Sequence, residues 1–168
     1  MVEGRTPTGH DAAPREGAAR YCVFALGNRS YALPASVVIE VASTERLLTV
    51  PLTRDWILGV HNLRGRPLTV VDLGRVLGDT ATPAAGDALT LLVVRLAGAQ
   101  FAFAIDRVEG FAGDESVAAL EAARELEHPA VAGLIARPGG RTITVLSDGE
   151  LASRVVRTAH VVRGGAPA

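Results

Sequence analysis

Lysine is missing from all 168 residues, so the 17 positively charged side chains are arginines, scattered among 18 acidic residues for a formal net charge of −1. No basic block or stripe is present of the kind that neutralises phosphates, which excludes an electrostatic footprint for nucleic acid or an anionic membrane. Cysteine is nearly missing too. Cys22 has no partner for an internal disulfide and sits in the strand-like run Tyr21 to Phe24, so it reads as a buried thiol in a reducing compartment. No apolar run reaches the ~20 residues needed to span a bilayer, and the polar start has no secretory h-region. The expectation is a cytoplasmic protein without direct membrane insertion.

The marks of an active site are missing as well. The four histidines, His10, His61, His128 and His160, have no metal-ligand spacing. There is no Gly-x-Ser-x-Gly elbow, phosphate-cradling glycine loop or Cys-x-x-Cys pair. Asp72, Asp106 and Asp148 lie at the ends of apparent strands, where helix capping is a stronger reading than catalysis. Trp56, the only tryptophan, lies beside Ile57 and Leu58 and reads as a core anchor rather than a base-stacking platform. No enzyme, metal or cofactor is expected.

What the chain does have is apolar content, 48% of residues, enough to bury a core. Residues 1–20 lack apolar periodicity and read as a flexible leader, and residues 161–168 as a flexible tail. Between them the pattern is mostly strand. Tyr21, Val23 and Ala25 point one way and Cys22, Phe24 and Leu26 the other, and Gly27-Asn28 turns the chain back through Tyr31 and Leu33. Pro34 ends that pairing, and Val37 to Val41 makes a third strand. Thr53 is placed as the cap of a short helix through Asp55 to Ile57. Gly59 admits a new strand, and Val60 to Leu63 and Leu68 to Val71 form a hairpin around Arg64-Gly65-Arg66-Pro67. Gly65 is needed there because a Cβ is penalised at positive φ. Asp72 caps a brief helix, Leu73 to Leu77, with Gly78 at its end.

After a Gly/Pro/Ala-rich linker at about 79–88, the pattern restarts about seventy residues on. Leu91 to Leu96 echoes Tyr21 to Leu26, Phe101 and Phe103 echo Tyr31 and Leu33, and Val108 echoes Val38. Gly133-Leu134 and Ile143 to Leu146 echo Gly59-Val60 and Leu68 to Val71. Two five-stranded units follow, at about 21–78 and 89–150, with an amphipathic helix inserted from Asp114 to Glu127 and a terminal helix at about 148–160. The second unit lacks the Asp72-type exit and offers Leu146-Ser147-Asp148 instead.

The run Ile57-Leu-Gly-Val-His-Asn-Leu-Arg-Gly-Arg-Pro-Leu-Thr-Val-Val-Asp-Leu73, together with Tyr21 to Gly27, Tyr31 to Leu33 and Val38 to Val41, resembles the CheW-like domain family. The resemblance covers about Tyr21 to Leu151, within a single domain at 21–160. It implies a mainly β CheW-like fold: two small five-stranded β-barrel subdomains packed together, with a few short helices. It also implies a non-enzymatic adaptor in a chemosensory array, joining the helical cytoplasmic tip of methyl-accepting chemoreceptors to the regulatory domain of a CheA-type histidine kinase. By position, Val38, Glu40 and Arg64 fall on the receptor-binding surface, with Glu40 and Arg64 close together on adjacent strands. Leu48, Val50 and Gly59 fall at the kinase-facing end of the first barrel, and Asn62, Gly65 and Asp72 supply turn and cap geometry. The alternative is a localisation module of the same fold that recruits a polarity or partitioning protein instead of a receptor.

Overall fold

The computed structural model describes residues 20–51, 54–78, 88–113 and 128–159. The leader, the tail, Thr53, most of the linker and the helix expected at Asp114 to Glu127 lie outside them. Ten strands are laid down in chain order: β1 (Arg20–Leu26), β2 (Arg29–Pro34), β3 (Val38–Thr44), β4 (Ile57–Leu63), β5 (Arg66–Asp72), β6 (Leu89–Leu96), β7 (Ala99–Ile105), β8 (Arg107–Gly113), β9 (Val131–Ala136) and β10 (Thr142–Leu146). A 3₁₀ turn, Ala35–Val37, precedes β3, and two helices, α1 (Leu73–Val76) and α2 (Asp148–Ala159), follow β5 and β10.

The strands form two five-stranded sheets: sheet I in the order β8-β1-β2-β10-β9 and sheet II in the order β3-β6-β7-β5-β4. Replacing each strand of sheet I by its counterpart in the repeat gives sheet II. The repeat read from the sequence is therefore present, but its halves have exchanged strands. Each sheet takes two strands from one half of the chain and three from the other, which replaces the expected division into a barrel at 21–78 and another at 89–150. The redirection occurs after β2, where Pro34 closes the pairing opposite Tyr21 and the Ala35–Val37 turn sends β3 to pair with β6. At the matching place after β7, the Asp106 N–H donates to the Ala25 carbonyl at 3.0 Å and β8 pairs with β1. Periodicity reveals a repeat but carries no information on which copy supplies a strand's partner.

The interleaving explains why the first two strands of each half are apolar on both faces over Cys22 to Leu26, Tyr31 to Leu33, Leu91 to Val94 and Phe101 to Ile105, since strands buried on both faces do not alternate. Phe24, Leu26 and Leu33 of sheet I pack with Leu92, Phe101 and Phe103 of sheet II in a core shared by both sheets. Leu73, Val76, Leu151 and Val155 seal that core from the two helices. The opposite faces build separate interiors, Val23, Ala32, Ile135, Ile143 and Val145 in sheet I and Leu68, Val70, Leu91, Val93, Ala102 and Ala104 in sheet II. Cys22 lies in the shared core, where burial pushes its thiol up from the ordinary value and leaves it an inert packing group.

The helices start as the caps dictate. The Asp72 carboxylate accepts from the Arg75 N–H at 3.1 Å, capping α1, and Gly78 follows at φ 71°. At α2, Ser147 Oγ accepts from the Glu150 N–H at 3.3 Å, and Asp148 and Glu150 place negative charge in the first turn, where the helix dipole favours it. Even the anchoring of the caps repeats: Asp72 N–H donates to the Trp56 carbonyl and Ser147 N–H to the Ala130 carbonyl, both at 2.8 Å. The missing aspartate of the second half is thus replaced in function by a serine. The short helix expected through Asp55 to Ile57 is instead a turn, closed by Ile57 N–H donating to the Arg54 carbonyl at 2.9 Å, with Ile57 already in β4.

Candidate partner-binding surface

The β4–β5 hairpin has a two-residue turn, Arg64-Gly65, with φ of 51° and 83°. Positive φ at both positions matches the right-handed twist of the flanking strands, but for arginine that conformation costs about 1 kcal/mol. The turn projects Arg64 outward, its side chain 78% exposed, and its guanidinium donates to both Glu40 carboxylate oxygens, at 3.3 and 2.7 Å. The expected Glu40–Arg64 encounter is therefore present with a different origin. Glu40 lies on β3 and Arg64 in a turn, and β3 and β4 stand at opposite ends of sheet II. The sheet curls until its ends meet.

Backbone pairing closes that curl. Leu48 N–H donates to the Val60 carbonyl and Val60 N–H to the Leu48 carbonyl, both at 2.9 Å. Gly59 makes the approach possible: at φ 149° a Cβ there would lie 2.7 Å from the Leu48 oxygen. Leu48 and Gly59 are thus brought together, with Gly59 buried beneath and Leu48 69% exposed. Val50 lies two residues further on, half-buried.

Two other assignments change in detail. Val38 is half-buried and packs against the shared core, so only part of its side chain faces outward. Asn62, expected to shape the turn, lies within β4 opposite Pro67 and is exposed; Arg64 and Gly65 make the turn. Asp72 is wholly buried, with its second oxygen 3.4 Å from Arg75 Nε, and its role ends at the cap. Asp106 likewise has a structural task, accepting from the Gly27 N–H at 2.7 Å. Among the described residues no cluster of three or more His, Cys, Asp or Glu could hold a metal, and no helix is long and apolar enough to cross a membrane.

Sequence reasoning missed the exposed apolar groups beside Glu40. Ile39 and Val41 on β3 are both exposed, and so is Phe111, the counterpart of Val41, on β8. An apolar run reads as core. Only topology reveals that β3 and β8 are each hydrogen-bonded to one neighbouring strand in their sheets, and an edge strand leaves apolar groups open to a partner.

With this geometry in hand, comparison with known proteins gives three findings. The model of the CheW-like domain matches residues 20–156. A stretch of 73 residues is 34% identical to Protein PilI of Pseudomonas aeruginosa, covering 44% of this chain and 41% of that protein, so less than half of PilI is matched. The fold superposes on the crystal structure of the scaffolding protein TtCheW from Thermoanaerobacter tengcongensis with a TM-score of 0.65 at 22% identity, covering 77% of this chain and 89% of that one. The family match spans both sheets, α1 and most of α2, and the chain belongs to the CheW-like domain family, with the fold of a scaffolding protein.

Proposed function

We propose that this chain is a non-enzymatic cytoplasmic adaptor that couples methyl-accepting chemoreceptors to a CheA-type histidine kinase. The observation that carries the reading is the Glu40–Arg64 pair. An exposed ion pair contributes ~0–1 kcal/mol to stability, and the positive φ of Arg64 takes back about as much. The pair therefore adds little to folding. It does hold a charged, geometrically fixed fork on one face of β3, with Ile39 and Val41 exposed at the alternating positions either side of Glu40, so that this edge strand offers a helical bundle apolar contact next to a polar group.

Leu48, on the strand segment that closes sheet II, is the apolar candidate for the kinase contact, with Gly59 setting the backbone beneath it and Val50 continuing the surface. Receptor and kinase would then occupy separate surfaces of one rigid body. A signal would pass as a change in their relative placement, without chemistry on this chain. The carboxylates that could have argued for chemistry have structural work: Asp72 caps α1, Asp106 holds the β1–β2 turn, and Asp148 sits in the first turn of α2.

The test is binding of a purified chemoreceptor tip fragment to the wild type, to Arg64→Glu and to the charge-swapped double variant Glu40→Arg/Arg64→Glu. Arg64→Glu is expected to weaken binding at least tenfold while stability moves by no more than about 1 kcal/mol. The swap should recover stability without recovering binding. Unchanged binding in both variants would remove the pair from the receptor surface, and a large loss of stability would make Arg64 a structural residue.

A further inference from the structure

The mouth of sheet I holds a feature with no part in that reading. A cleft of about 700 Å³ opens beside the β1–β2 hairpin, and among the described residues its walls include Arg29, Arg107, Arg141 and Glu109, with the Asp106 carboxylate bonded to the lining Gly27 at its edge. Residues from both edge strands, Glu109 of β8 and Leu134 of β9, line it, so it crosses the whole curled sheet. The charged side chains at its rim belong to exposed residues. In a chain whose formal net charge is −1, three arginines stand here against two carboxylates, Glu109 and Asp106, and leave a local excess of positive charge among the described residues.

Glu109 is held in place. Its two oxygens accept from Ser30 Oγ at 2.7 Å and from an Arg107 terminal nitrogen at 2.9 Å. The ion pair orients the Arg107 guanidinium at the rim, its side chain still 65% exposed, and Arg29 and Arg141 line the same cleft. Enclosed pockets for small molecules are mostly apolar. This one is open and lined by charged and hydroxyl groups, including Thr142 and Thr144, as protein-recognition rims are. Arginine forks favour planar carboxylates bound two-pronged.

We propose that this cleft docks an acidic segment of a partner protein, presenting carboxylates to Arg29, Arg107 and Arg141. The site is on the opposite sheet from Glu40 and Arg64 and does not depend on their role. The size of the cleft admits a short run of side chains, so the segment is engaged as a peptide rather than as a folded surface. Electrostatic docking of this kind speeds association and selects the partner more than it adds affinity, and it weakens as salt rises.

The experiment uses the full chain and a fluorescein-labelled peptide of eight glutamates, followed by anisotropy at low salt, with an eight-lysine peptide as control. The glutamate peptide is expected to bind, the lysine peptide not to, and affinity should fall at least tenfold in Arg107→Glu/Arg141→Glu. Arg64→Glu, equally charge-reversing but on the other sheet, should leave binding within twofold. Arg107→Gln/Arg141→Gln repeats the test without introducing new negative charge. No binding at low salt, or an equal loss with Arg64→Glu, would overturn the proposal, the second outcome showing attraction to overall charge alone.

Discussion

In sheet II, β3 presents a glutamate tied to the Arg64 turn; in sheet I the same place on β8 is Gly110. Conversely, β8 carries Arg107 and Glu109 where the first half has Val37, in the turn before β3, and Ile39 of β3, and Ser30 of β2 stands where β7 has Gln100. Both sheets share strand order and a parallel pairing at the same place, β10 with β2 and β5 with β7. They share an irregularity in the pairing of the edge strand too, between Val38 and Glu40 in β3 and opposite Val23 and Phe24 on β8. The frame was duplicated and the charges were not. The groups that keep the frame, Gly59 and Gly133, Asp72 and Ser147, Phe101 and Tyr31, have counterparts. The groups without a counterpart, Glu40 with Arg64 and Arg107 with Glu109, are those assigned here to partners.

The largest test of this comparison concerns the shared core. Phe103→Ala should cost about 3–5 kcal/mol and lower one cooperative denaturant transition, because each sheet contains strands from both halves. Two separated transitions would mean that the sheets fold as independent units. Next in size is Gly59→Ala, expected to cost about 1–3 kcal/mol because the new methyl meets the Leu48 oxygen and opens the closure of sheet II. Amide exchange should rise at Leu48 and Val60 with little change in sheet I, and a uniform rise would contradict a local seal.

The two caps offer a finer contrast. Ser147→Ala and Asp72→Ala should each cost about 0.5–2 kcal/mol. Asp72→Ala should cost more, since its carboxylate is wholly buried and also faces Arg75. An equal or reversed order would show that the exposed α2 cap matters as much as the buried one.

The smallest effect is in acid. His128 has its ordinary value lowered, first by burial and then by the nearby Arg154 charge, with a smaller opposing contribution from the Val76 backbone. Its Nδ1 accepts from the Ala130 N–H at 3.2 Å, and its Nε2 is buried without a hydrogen-bond partner among the described residues. A histidine with a lowered value in the folded state is protonated more readily when unfolded. Stability should therefore be flat above neutral pH and decline as pH falls through 6.5, the unperturbed value. His128→Gln should flatten that part of the profile, and an unchanged slope would assign it to other groups.

Much of this was legible in the sequence because local chemistry repeats. The alternation of Tyr21 to Leu26, the turn at Gly65 and the cap at Asp72 each follow from a few adjacent residues, and the seventy-residue echo announced two similar units. What the sequence hid was long-range. Nothing local to Val38 says that its strand pairs with β6 instead of β1, and so the exchange of strands was missed. For the same reason the exposure of Ile39, Val41 and Phe111 follows only from their edge positions, and Ser30, Glu109 and Arg107 could not be gathered from opposite halves of the chain. Glu40 and Arg64 were placed together only through the family resemblance, since the curl that joins them depends on Leu48 reaching Val60.

The adaptor reading rests on one chain holding two partners at once. Purified protein mixed with a chemoreceptor tip fragment and a CheA-type regulatory domain, passed over a sizing column at low salt, should elute as one complex containing all three, with no stable receptor–kinase complex when it is left out. If neither fragment is retained by this chain, the coupling function is wrong, whatever the fold it shares with scaffolding proteins.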